Sequence, residues 1–226
     1  MPAADREDDV IRLLTAGRDH EAALRGVALA RTEGPDDHDG GDMDPLTQFE
    51  QLGPVLGGVI AGLRPADLDT ATPCAEFTVR GVLEHMIRGA TMFAAAYRGE
   101  APPEPDVTDP IVGVQAALGD LATSIAAPGA LDRTIQAPFG ATDGESFARF
   151  VVLDGLVHGW DLATATGQPY DPPTDLVTAV TGFAKQALEG LRDGDTFKSA
   201  VEPTADATPI ERLAAYSGRT IPGARR

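Results

Sequence analysis

Cysteine is nearly absent from this chain: its 226 residues include one, Cys74. An intrachain disulfide is excluded, and a reducing compartment is the default for such a protein. No apolar run approaches the ~18–20 residues needed to span a bilayer. Positive charge is scarce, with 18 Lys and Arg against 35 Asp and Glu and a net charge of −17. Nucleic acids and anionic membrane surfaces are bound through basic patches, so this balance argues against both as partners. The opening MPAADREDDV is acidic where a signal peptide is basic, and no apolar h-region follows, so the expected location is cytoplasmic. Walker-type and dinucleotide-binding glycine patterns are missing, and no internal repeat is visible. Only Lys185 and Lys198 are lysines; with abundant Ala, Gly, Pro and Asp this matches the product of a GC-rich genome.

What is present is an ordinary globular composition, 42% hydrophobic and 23% charged, in a length that suits one sizeable domain with an appendage. Residues 1–42 stand apart, with eleven acidic and five basic residues. They allow one amphipathic helix over 10–29 and then dissolve into Glu33-Gly34-Pro35-Asp36-Asp37-His38-Asp39-Gly40-Gly41-Asp42, which has linker composition. The expectation is an acidic extension over 1–42 and a domain over 43–226. Within the domain, apolar residues recur at helical spacing over 46–63, 79–97, 111–127, 145–166, 175–191 and 209–216. Thr78 reads as the cap of the second helix and Gly167 as the stop of the fourth. Residues 131–139 read as extended, with Pro138 and Gly140 marking a turn, which predicts a short hairpin at the end of a helical bundle. The expected fold class is all-α with extra C-terminal helices.

The most informative segment is Asp154-Gly155-Leu156-Val157-His158-Gly159-Trp160-Asp161-Leu162. It sets a carboxylate and an imidazole four residues apart in an otherwise apolar stretch, one above the other on a helix. At 100° per residue, Phe147, Phe150, Val151, His158, Asp161, Leu162 and Ala165 fall within about 80° of Asp154, so these polar groups share a core-like face. A buried carboxylate needs a partner or a metal. Two readings follow: a structural Asp–His pair, or two ligands of one ion. His85 lies in another apolar helix, flanked by Gly81 and Gly89, whose small size leaves room for a ligand or an approaching helix. It is either a third ligand or a satisfied core histidine. The other two histidines, His20 and His38, fall in the extension. His85, Asp154 and His158 together would leave coordination positions open, as in a catalytic zinc site or a non-haem iron or nickel site. Asp161 is a candidate catalytic or ligand-orienting residue, or else the partner of an arginine. Trp160 points away and reads as packing. Cys74 precedes a helix N-terminus, which can activate a thiol, but no histidine lies near it in sequence, and it stands alone in a loop, so it is not taken as a fourth ligand.

Three segments resemble one family. Thr72-Pro73-Cys74-Ala75-Glu76-Phe77-Thr78-Val79-Arg80 followed by Leu83-Glu84-His85, then Asp154 to Gly167, then Ala207 to Arg219 resemble, in order, motifs of the mycothiol-dependent maleylpyruvate isomerase N-terminal domain family. The resemblance covers residues 43–219 and points to its short actinobacterial members. It implies a DinB-like metal-binding four-helix bundle, with His85, Asp154 and His158 as metal ligands, zinc or another divalent ion as cofactor, and mycothiol as cosubstrate. Two departures stand out. The isomerase carries glutamate where this chain has Asp154, and it has a C-terminal α/β subdomain where this chain reads as helix and tail. The implied function therefore stops short of maleylpyruvate as substrate. It is a metal-dependent transferase or isomerase that activates a small thiol for attack on an electrophilic small molecule, acting as a monomer or homodimer. The alternatives are a thiol-independent metal hydrolase or isomerase, and a non-enzymatic helical binding module.

Overall fold

The computed structural model describes residues 43–137, 140–189, 192 and 198–221; the expected helix over 10–29 and the linker lie outside these. Helix α1, Pro45–Ala61, begins at an Asp44 cap whose carboxylate accepts from the amides of Leu46 and Thr47, with Pro45 in the first turn. Proline suits that position because its missing N–H would have no helical partner there. Helix α2, Val79–Arg98, is capped by the Thr78 hydroxyl, as the sequence predicts. Helix α3, Pro110–Ile125, stops short of the expected 127. Ala127 precedes Pro128, and a residue before proline is pushed out of the helical region.

Strands β1, Thr134–Ala137, and β2, Gly140–Asp143, pair antiparallel with Thr134 opposite Asp143. This is the hairpin read from the sequence; its turn residues 138 and 139 lie outside the described ones. Helix α4, Gly144–Thr166, follows directly and ends on Gly167 at φ 67°, a left-handed cap that glycine adopts without steric cost. Helix α5, Thr174–Ala187, ends before the expected 191, with Leu188 as its cap. Helix α6, Pro209–Tyr216, keeps its expected bounds and opens with a capping box between Thr208 and Glu211.

Helices α1 to α4 pack as a bundle, α1 along α4 and α2 along α3, with α2 also touching α4. Helices α5 and α6 cover another flank of α4 and each other. The main core runs through α1, α2, α4, α5 and α6, including Leu56, Leu83, Leu156, Trp160, Leu176 and Leu213. A second cluster joins α2, α3, β1 and the start of α4 around Tyr97, Leu121, Ile135 and Phe147. The fold is mostly α with one small hairpin. No described helix is long and apolar enough to cross a membrane.

Candidate metal centre

From Phe147 to Ala163 every residue of α4 is buried except Arg149 and Asp154. A helix covered round its whole circumference sits at the centre of a bundle, and Asp154 marks a place where this one opens outward. The Asp154 side chain is 26% exposed, while that of His158, one turn on, is 5% exposed. His85 faces them from α2 and is 29% exposed. One carboxylate oxygen of Asp154 stands 3.7 Å from His85 Nε2 and 3.5 Å from His158 Nε2. The two imidazoles meet edge to face with centroids 4.9 Å apart. The ligand-type atoms of the three side chains lie within 4.8 Å of one another, the one such cluster among the described residues.

These residues fit a divalent cation. Two imidazole nitrogens and one carboxylate oxygen are the donor set of open zinc, iron or nickel sites, and all three converge on one point at the solvent edge. Cys74 is not part of the cluster. It is half-buried, and burial pushes its thiol up, with Arg219 nearby pulling the other way. That environment does not favour a thiolate.

His158 is held by its other nitrogen. Nδ1 lies 3.0 Å from Asp161 Oδ2; the carboxylate accepts there, which assigns the ring proton to Nδ1 and leaves the Nε2 lone pair facing the triad. Asp161 is fully buried. The same Oδ2 accepts from Arg219 Nε at 3.3 Å and Nη2 at 3.1 Å. Its Oδ1 is buried with no partner among the described residues. Asp161 thus contacts both a candidate ligand and an arginine, the two roles that the sequence left as alternatives. Arg219 was not singled out for this role from sequence. The one signal was the buried Asp161 itself, which demands a cation, but the partner is 58 residues away and shares no periodicity with it.

Burial works against ionising Asp154, but His158, His85 and, more distantly, Arg219 outweigh it and draw its carboxyl down to about 2. Burial likewise works against a charged His85, yet the Asp154 carboxylate facing it raises it above the ordinary histidine value. Burial also opposes the Arg219 charge; Asp161, then Cys74 and Asp154, hold its guanidinium above its ordinary value.

The wall around His85 comes from the loop before α2. Ala71 and Thr78 form an isolated bridge. The Thr72 hydroxyl reaches the carbonyls of Cys74 at 3.1 Å and Phe77 at 2.8 Å. The Phe77 ring then packs on His85 with centroids 5.6 Å apart. A Cβ on Gly81 would meet that ring at 3.0 Å. The room that the sequence ascribed to small residues beside His85 is thus filled on the Gly81 side by Phe77. Trp160 is buried in the main core, in keeping with a packing role.

Known proteins resemble this chain in two ways. The family model described as "Mycothiol maleylpyruvate isomerase N-terminal domain" matches residues 49–123, a stretch that holds His85 and ends before α4. Two uncharacterized proteins from different strains of Mycobacterium tuberculosis are each 32% identical over 188 residues, covering 79% of this chain and 100% of the relative. No solved structure matches the chain.

Proposed function

The chain belongs to the mycothiol maleylpyruvate isomerase N-terminal domain family, and from that premise we propose that it is a metal-dependent enzyme acting on a small thiol, mycothiol, and a small electrophile. His85, Asp154 and His158 hold one divalent cation, zinc first, with iron or nickel as the alternatives. Bound there, the cation lowers the pKa of a coordinated thiol and favours its thiolate. The electrophile enters from the solvent edge of the triad, where His85 and Asp154 are partly exposed. Asp161 keeps the proton on His158 Nδ1 and so keeps Nε2 available as a ligand. Its burial and its bonds to Arg219 support that orienting role over proton exchange with solvent. The single cysteine and the thiol chemistry both suit a reducing cytoplasm.

The observation that carries this reading is the convergence of three ligand atoms from two helices, with a carboxylate behind one of them. The test begins with the metal content of the full chain purified without a polyhistidine tag. Stoichiometric metal is expected in the wild type and its loss in His158→Ala. The loaded protein is then given mycothiol and a generic electrophile, and a thiol adduct is expected. Absence of stoichiometric metal overturns the reading. Metal without any response to thiol transfers the proposal to a thiol-independent hydrolase or isomerase.

A further inference from the structure

We infer that Arg219 is a positioning residue of the metal centre, acting through Asp161 on His158, and that it couples docking of the segment after α6 to the hold on the ion. The inference rests on the metal reading of the triad. Among the described residues the side-chain bonds of Arg219 go to Asp161 and the Ser217 carbonyl and to none of the three ligand side chains. It follows α6, where Gly218 sits at φ 87° and the amides of Gly218 and Arg219 donate to the carbonyls of Ala215 and Ala214. Its Nη1 donates to the Ser217 carbonyl at 3.1 Å. These bonds fold the backbone so that Nε and Nη2 both reach Asp161 Oδ2, while Ile221 two residues on is buried in the core. Three donors, two from Arg219 and one from His158, therefore share a single carboxylate oxygen.

That sharing is what couples the ends. The Asp161 oxygen that accepts from His158 Nδ1 is the oxygen fixed by the guanidinium. Asp161 has no other partner among the described residues, since its second oxygen is unpaired. Remove Arg219, and the carboxylate is free to turn; His158 then loses the acceptor that sets its tautomer and ring plane. Coupling is reciprocal: if Arg219 favours metal on His158, metal on His158 favours Arg219 in its docked place.

The test measures zinc affinity of the full-length apo-protein by competition with a chromophoric chelator. Arg219→Gln is expected to weaken zinc severalfold, up to the ~10–100-fold usual when the partner of a metal-ligating histidine, here Asp161, is lost. Arg219→Lys, which keeps the charge but not the fork, should recover part of it. The Arg219→Gln effect should shrink to near nothing in an Asp161→Asn background. Lys198→Ala, in the same C-terminal region, breaks an exposed ion pair with Glu76 of the loop before α2 and should leave zinc affinity unchanged. In the wild type, zinc should slow amide hydrogen exchange at Gly218 and Arg219, a readout that requires no variant and that a purely structural Arg219–Asp161 pair would not move. Unchanged zinc affinity in both Arg219 variants, or unchanged exchange at Gly218 and Arg219 on zinc addition, overturns the inference. A wild type that binds no zinc overturns instead the metal reading beneath it.

Discussion

Asp154 is a methylene shorter than the glutamate of the isomerase that its motif resembles, and the distances say what that does. Two donors at ~2.0–2.2 Å from one tetrahedral zinc stand ~3.3–3.6 Å apart. The Asp154 oxygen lies 3.5 Å from His158 Nε2, inside that range, and 3.7 Å from His85 Nε2, just outside it, so the shorter side chain comes close to ligand spacing and a small movement of His85 would complete it. Asp154→Asn keeps the shape and removes the charge. It should weaken zinc by more than the ~100-fold upper range for an outer-shell partner, while the far-ultraviolet circular dichroism stays that of the wild type. Zinc affinity within tenfold of wild type would show that the carboxylate charge is not a ligand. At this scale the triad was legible because charged and imidazole groups on apolar helix faces have few roles. Arg219 was not, because a contact made across 58 residues leaves no spacing to read.

Among the elements, α4 carries the site because it has so little freedom. Its neighbours press on it closely enough that glycine is required at Gly159. A Cβ there would collide with the Tyr170 hydroxyl and ring, whose hydroxyl donates to the Leu156 carbonyl at 2.9 Å. Gly159 adjoins His158, so the crowding lies one residue from a candidate ligand. Gly159→Ala is expected to destabilise the fold by about 1–3 kcal/mol through overpacking, read as a shift in denaturant midpoint at constant slope. Tyr170→Phe removes the hydroxyl and should make the double variant less destabilised than the sum of the singles. Strict additivity would mean that the strain is taken up elsewhere. The element bounds were legible where the signal is chemical: a hydroxyl cap at Thr78 and a glycine stop at Gly167. They slipped where tertiary or neighbour effects decide, as at the end of α3 beside Pro128. The filling of space by Phe77 was illegible for a related reason: a glycine marks a gap in its own helix, but the bridge between Ala71 and Thr78 determines which ring enters it.

For the molecule as a whole, the described fold is tied off at its N-terminal side by groups at Met43 and Asp44. The Met43 carbonyl accepts from Arg149 Nη1 on α4 at 2.9 Å and from the buried Gln48 Nε2 at 2.8 Å. Asp44 caps α1. Residues 1–42 carry charge of the same sign as the rest of the chain. We propose that they are an appendage to a domain over 43–226. A chain beginning at Met43 should then melt within about 2 °C of the full-length protein, equivalent to about 0.5 kcal/mol for this size, and bind zinc with the same affinity. A chain beginning at Thr47 removes both the cap and the carbonyl that holds Arg149 and Gln48. Losing the cap costs about 1 kcal/mol, and a buried donor left without its acceptor costs about 1–3 kcal/mol more. Its melting temperature should therefore fall well below that of the Met43 chain. If the two shortened chains melt together, the bonds at Met43 and Asp44 do not close the domain. If the Met43 chain itself melts several degrees low or loses zinc, residues 1–42 belong to the domain, and the division by composition is wrong.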